Sequence, residues 1–533
     1  MTRRAAVFAC TFFGAVLAGC GAAPGGPGGP SVPSVPSVPS APASVPFDPA
    51  SSPAPAPAPV SVSHLTLPPG RSPAVAIRLA FRSGFADDPP GAAGLTALTA
   101  QLIAEGGTVD RPPAALKETL FPWAARIEVF VDADMTVFTT RVHRDDAAAL
   151  VPVLAEVLTR PRWAPEEFER MRRDAVDEIE KHLRTSDDET LGKEALAHLV
   201  FAGHPYGRYV GGAVADLKAM TLSQVRAHAA RVFGRARLTI GVSGGWPPGL
   251  PEALSAALEA LPVGDPVAAL PAGGGLAGVR MLIVDKKAPA VALSLGAPVD
   301  FDRAHPDFPA LMVGVSAFGE HRQFHGRLMQ RLREERGLNY GDYAYPEFFR
   351  QDGWSTFARL NIPRRRQLFS IWLRPVQAAD AVFALRLALH EYDALLRDGL
   401  TQEEVTRAAR FLEGYTRLFE KDADRRLGLA IDDAFYGTPE RLAKLRAALP
   451  GLTAETVNAA LRKHLPATEA LRIAVVTDDA AAFRAAVLSN AASVKAYASE
   501  KPASLLEEDA RAARRPFGLA PDEVRIVPVG ALF

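Results

Sequence analysis

Cysteine is almost missing from this chain: two in 533 residues, Cys10 and Cys20. Both fall within the first twenty positions, so the rest can hold neither a disulfide framework nor a cysteine-ligated zinc site. An excess of charge is also missing, since 60 Lys and Arg balance 60 Asp and Glu. The one short basic cluster, Arg364-Arg365-Arg366 directly after Pro363, is expected to be a solvated turn, and nucleic acid is not an expected partner. After the N-terminal segment no stretch reaches eighteen consecutive apolar residues, so the body is expected to be soluble.

The start of the chain has the pattern of a processing signal. Arg3 and Arg4 form a positive n-region, and Ala5 to Val16 is an apolar run too short to span a bilayer. Leu17-Ala18-Gly19-Cys20 resembles a bacterial lipobox, which predicts a signal peptide over 1–20 and lipidation of Cys20. Residues 21–60 are rich in Gly, Pro, Ser and Ala, with the repeat Ser31-Val-Pro-Ser-Val-Pro-Ser-Val-Pro-Ser40. Such a segment cannot bury enough apolar surface to fold and is expected as a tether. A lipid-anchored protein of the bacterial cell envelope follows as the expectation. The residue after Cys20 is Gly21, not the aspartate that marks inner-membrane retention in enteric-type sorting, which points to the outer membrane, facing the periplasm.

Beyond the tether the chain is too long for one core. Ala74 to Phe81 and Met135 to Val142 alternate as half-buried strands, and Leu238 to Ser243 closes the first part. Helical spacing covers Asp146 to Leu158, Pro165 to Leu183, Thr185 to Gly203 and Thr221 to Phe233, the last capped by Thr221. Leu261 to Gly278 is a Pro/Gly-rich connection, after which the pattern restarts. Strands are expected at 279–285, 291–295, 355–360 and 370–375, and helices at 307–318, 378–397 and 401–421. Strands interleaved with helix pairs argue for α+β layers. Two echoes recur in the same order: Ala164-Pro-Glu-Glu-Phe-Glu-Arg with Leu400-Thr-Gln-Glu-Glu-Val-Thr-Arg, and Phe201-Ala-Gly-His-Pro-Tyr-Gly207 with Ala434-Phe-Tyr-Gly437. They support two copies of one domain.

The stretch Gly94 to Thr108 organises the functional reading. Leu95, Leu98, Leu102 and Ile103 recur at helical spacing between the Pro89-Pro90-Gly91 turn and the Gly106-Gly107 stop. The stretch resembles the metal-binding helix of the pitrilysin/insulinase peptidases, whose inverted H-x-x-E-H motif supplies two zinc-binding histidines and a water-polarising glutamate. Those three positions fall on Ala97, Ala100 and Gln101, so the motif is lost. Counting the family interval from Gln101 puts the third ligand position on Glu178, a relic acid without histidine partners. The stretch Leu332-Arg333-Glu-Glu-Arg-Gly-Leu-Asn-Tyr340 resembles the family segment that holds the substrate carbonyl. There Arg333 and Tyr340 stand in register for donors to a developing oxyanion.

The resemblance implies two homologous α+β domains, each a mostly antiparallel sheet packed with helices. They are expected at 61–262 and 279–485, joined by a linker at 263–278 and followed by an extension at 486–533. It also implies a catalytically incomplete chain, with no zinc of its own, inactive alone. Such a chain binds peptide substrate and completes a zinc-bearing homologous subunit, contributing Arg333 and Tyr340 in trans. The alternative is a structural or interaction protein on the same fold, with a stand-alone hydrolase ranked last. Three further patterns are weighed against chance. His321 and His325 beside Glu320 would present two imidazoles from a helix, without an evident third ligand. Gly241-Val-Ser243-Gly-Gly245 matches G-x-S-x-G but leads into Trp246-Pro-Pro, and is expected as a strand-end turn. Gly273 to Gly278 precedes a strand and is not a dinucleotide loop.

Overall fold

The computed structural model describes residues 62–353 and 355–533. The signal, the tether and Cys20 lie outside the described residues. Eleven strands form two sheets: β1 (Ser63–Thr66), β2 (Ala74–Phe81), β3 (Ile127–Val131), β4 (Thr136–His143), β5 (Leu238–Gly244), β6 (Met281–Asp285), β7 (Val291–Val299), β8 (Asp342–Tyr345), β9 (Gln367–Val376), β10 (Arg472–Thr477) and β11 (Val524–Pro528). The first sheet runs β1-β5-β2-β4-β3 and the second β11-β6-β10-β7-β9-β8. Without β11 the two orders are the same, strand for strand. In each the first and second strands are parallel (β1 with β5, β6 with β10), and the remaining neighbours are antiparallel.

The two copies exchange helices. The helix Asp188–Phe201 belongs to the first copy by sequence but lies on the second sheet: Gly192 faces Ala292, Ser294 and Val476, and Leu196 covers Gly296 of β7. Reciprocally, Ala423–Tyr436 of the second copy lies on the first sheet, with Leu427 and Ile431 over Gly241 of β5. A side chain at Gly241 would meet both of those side chains, which is why glycine stands at the crossing. The echoed segments Phe201 to Gly207 and Ala434 to Gly437 close these two crossing helices.

The 486–533 segment is more than an appendage. β11 pairs in parallel with β6, Val524 joins the core of the second sheet, and Leu532 joins the apolar cluster shared by helices of the first copy and the second sheet. Its expected description misses this because a five-residue strand is too short to show a period. The expected strand at 355–360 is instead a loop, with one isolated bridge between Gln351 and Ala358. Thr221 does cap its helix, accepting from Gln224 N at 3.3 Å in a capping box.

Candidate functional site

The helix Leu95–Glu105 is anchored at its start by a buried acid. Asp88 accepts from Gly94 N and Thr96 N, both at 2.8 Å, and from Thr96 Oγ1 at 2.6 Å. The same hydroxyl lies 2.8 Å from His228 Nε2. Burial raises the Asp88 carboxyl to about 7 in spite of these donors. On this fixed helix Ala97 and Gln101 are half-buried and Ala100 is fully buried. Glu178 opens the π-helical turn Glu178–Leu183, is largely exposed, and pairs with His182 at 3.2 Å. Two methyl groups, one amide and one carboxylate already paired do not fit a catalytic zinc, so no step through a metal is assigned to this chain.

Arg333 lies in a second π-helical turn, Met329–Glu334. Its guanidinium donates to Glu334 Oε1 at 2.7 Å and stands 4.9 Å from the exposed Phe324 ring. Tyr340 is 81% exposed, which excludes the core-packing role that a strand tyrosine would have. Its turn is pinned on both sides by Asn339, whose Nδ2 donates to Asp342 Oδ1 at 2.7 Å and to Arg374 O at 3.0 Å, while Oδ1 accepts from Gly341 N at 3.1 Å. The structure therefore presents Tyr340 outward on a braced turn.

Asp342, beneath that turn, is fully buried, and burial pushes its carboxyl up to about 8, against the Asn339 hydrogen bond and the Arg333 charge. A carboxyl raised by folding stabilises fully below its unfolded value near 4, and that contribution is lost as pH rises through 8. Asp342→Asn should therefore match the wild type in denaturant midpoint near pH 4. It should become progressively more stable than wild type towards pH 8, gaining ~1.4 kcal/mol for each step of one in pH. A stability difference independent of pH would refute the assignment.

His321 and His325 do not form a pair on a helix, because the preceding helix ends at Gly319. His321 is buried, with Nδ1 2.6 Å from Tyr345 Oη, between Tyr343 and Phe349, and burial drives it down to about 3. His325 packs instead on Phe411. The grouping that sequence spacing missed is His305, Asp307 and His464, whose candidate ligand atoms lie within 4.8 Å of one another. Lys463 Nζ already sits 2.8 Å from Asp307 Oδ2, where a cation would stand. Ser243 is buried at the end of β5 and donates to Ala423 O at 3.0 Å, so it is no nucleophile.

The solvated-turn expectation for Arg364-Arg365-Arg366 is overturned. Arg364 is 4% exposed and donates to Asp132 Oδ1 from Nε at 2.9 Å and Nη2 at 2.8 Å, with its guanidinium 3.2 Å from the Phe348 ring centroid. Arg365 pairs with Asp134 Oδ1 at 2.7 Å. Two tyrosines finish the seam, Tyr206 in the turn after the first crossing helix and Tyr436 at the end of the second: Tyr206 Oη accepts from Arg365 N at 3.1 Å and Tyr436 Oη from Arg364 N at 2.8 Å. The signal available in sequence was the complementary Asp132-x-Asp134 in the β3–β4 turn.

Beside this seam a cleft of ≈ 480 Å³ opens between the helix Asp188–Phe201, β9 and the turn around Arg350. Neither Arg333 nor Tyr340 lines it.

Two family descriptions match the chain: "Insulinase (Peptidase family M16)" over residues 69–213 and "Peptidase M16 inactive domain" over 219–412. An uncharacterized zinc protease of Streptomyces coelicolor is 25% identical over 395 residues, covering 72% of this chain and 80% of the relative. A protein of Helicobacter pylori named as a non-peptidase homolog is 22% identical over 374 residues, covering 68% of this chain and 79% of its own. Among solved structures, a peptidase M16 inactive domain from Pseudomonas fluorescens superposes with a TM-score of 0.67 at 23% identity, covering 78% of this chain and 95% of that one.

Proposed function

The chain belongs to the insulinase family of peptidases, family M16, and from that premise we propose that it is the peptide-binding, activity-completing subunit of a two-chain zinc peptidase. The observation that carries this reading is a division. The metal positions hold Ala97, Ala100 and Gln101, while Arg333 and Tyr340 remain, the phenol turned outward where a second chain can meet it. A guanidinium and a phenol both donate to an oxygen gaining negative charge, and neither can activate water. Zinc and the attacking water therefore belong to a homologous partner. This subunit would position the peptide and supply donors in trans.

The test is reconstitution. The purified chain alone hydrolyses no peptide, and mixing it with a zinc-bearing homologue from the same envelope restores cleavage. Arg333→Ala or Tyr340→Phe then lowers kcat by about 10²–10³-fold, the cost of losing one oxyanion donor, while the melting curve is unchanged. Full activity in both variants would sink the proposed roles.

A second reading, a non-catalytic structural or interaction protein, is favoured by the relative named as a non-peptidase homolog. Under it the partner co-purifies, yet its activity is indifferent to both substitutions. We place the protein at the cell envelope through a lipid on Cys20, with the outer membrane as the expected site. Cys20→Ser is expected to move it from the detergent phase to the aqueous phase in detergent partitioning.

A further inference from the structure

The cleft between the two halves has a charge pattern that the chain does not neutralise itself. On one wall Lys193 donates to Glu189 Oε1 at 2.6 Å and stands 3.7 Å from the Trp372 ring centroid. Arg374 of β9 shares the same acid, 3.2 Å from Glu189 Oε2. Asp187 is committed as a helix cap, accepting from Thr190 N at 3.0 Å. Glu194, the remaining acid of the cleft, is pushed towards its neutral form by burial, against the nearby charges of Arg350 and Arg364, and it makes no ion pair with either. Arg322 and Arg350 also line the cleft, half-buried, and among the described residues neither makes an ion pair or a side-chain hydrogen bond. Phe348 and Phe349 add aromatic surface beside them.

Two half-buried guanidiniums with no carboxylate in hydrogen-bond contact among the described residues, in a cleft with room for a few residues of extended chain, call for an anionic ligand. A planar fork selects carboxylate, and the aromatic wall suits the apolar parts of a peptide. We propose that this cleft binds a carboxylate-bearing peptide segment, with Arg350 and Arg322 donating to the carboxylate. The inference deepens the peptide-binding reading above and names its substrate class. It also locates a contact away from Arg333 and Tyr340. The carboxylate comes either from an Asp or Glu side chain or from a peptide C-terminus, and the probes below separate these sources.

The experiment uses the full chain without any zinc-bearing partner and follows fluorescence anisotropy of labelled octapeptides. The probes are an acidic peptide with an amidated C-terminus, a neutral peptide with a free C-terminus, the same neutral peptide amidated, and a basic amidated peptide. One or both of the carboxylate-bearing probes should bind, more weakly at high salt, and the other two should not. Arg350→Ala and Arg322→Ala should each weaken binding at least tenfold while the thermal melt stays at the wild-type value. If one variant fails to fold, the other provides the reading. Equal binding of all four probes, no binding of any, or unchanged affinity in a folded Arg322→Ala/Arg350→Ala double variant would overturn the proposal. A chain that binds the acidic probe but never restores cleavage keeps the cleft and loses the pairing. A chain that restores cleavage but binds no carboxylate probe does the reverse.

Discussion

Arg364→Ala is expected to destabilise the folded body by about 3–5 kcal/mol, the usual cost of removing one member of a buried ion pair. The guanidinium and the Asp132 carboxylate are 4% and 1% exposed, and Asp132 Oδ2 already lacks a partner. With Arg364 gone, the buried Asp132 carboxylate keeps only the Ala133 N–H as donor, beside the rings of Phe348, Phe85 and Tyr206 that packed on the guanidinium. The pair joins the turn before β9 to the β3–β4 turn, so the loss falls on the seam between the two sheets. Chemical denaturation of wild type, Arg364→Ala, Asp132→Asn and the double variant forms a cycle. The double variant should recover much of the loss, since it removes the stranded charge as well as its partner. Arg366→Ala, for which no ion pair is found among the described residues, should stay within ~0.5 kcal/mol of wild type. If Arg364→Ala unfolds at the wild-type midpoint, the seam is not held as described.

The second large effect is at the lost metal helix. Ala100→Glu, which restores the acid of the inverted motif, should cost about 4 kcal/mol or more, combining overpacking with burial of an unpaired carboxyl. Ala100 has no exposed surface and belongs to the same core as Phe81, Ile103 and Phe138. Gln101→His is half-buried and should shift stability by less than ~1 kcal/mol. The contrast matters more than either value. It says that position 100 serves packing, so an acid cannot be placed there without repacking its neighbours. An Ala100→Glu protein as stable as wild type would mean the helix keeps an open pocket at that position.

The long elements were legible because periodicity and capping are local. The helix from Leu95, the Thr221 cap and the strands from Ala74 and Leu238 all carry their signal within a dozen residues. Short edge strands were not: β1 and β8 have four residues each and β3 and β11 five, too few to show a period. The 355–360 segment alternates like a strand but makes only the isolated bridge between Gln351 and Ala358, because a pattern alone does not secure a ladder. The lost motif and the Arg333/Tyr340 spacing were readable as residue types. That Tyr340 faces solvent and Ala100 faces the core was not, since exposure depends on what the rest of the chain brings alongside.

Residue order alone determined that this chain repeats one α+β unit and that the helix from Leu95 carries Ala97, Ala100 and Gln101. The repeat and the absence of imidazole or carboxylate at Ala97, Ala100 and Gln101 depend on side-chain identity and local spacing, which folding does not alter. Tertiary structure decided the rest: the exchange of the two crossing helices, the burial of Arg364 against Asp132, and the guanidiniums of Arg322 and Arg350, which make no ion pair among the described residues. These join residues far apart along the chain. Whether an arginine is solvated, paired or left free depends on which distant carboxylates the fold carries to it.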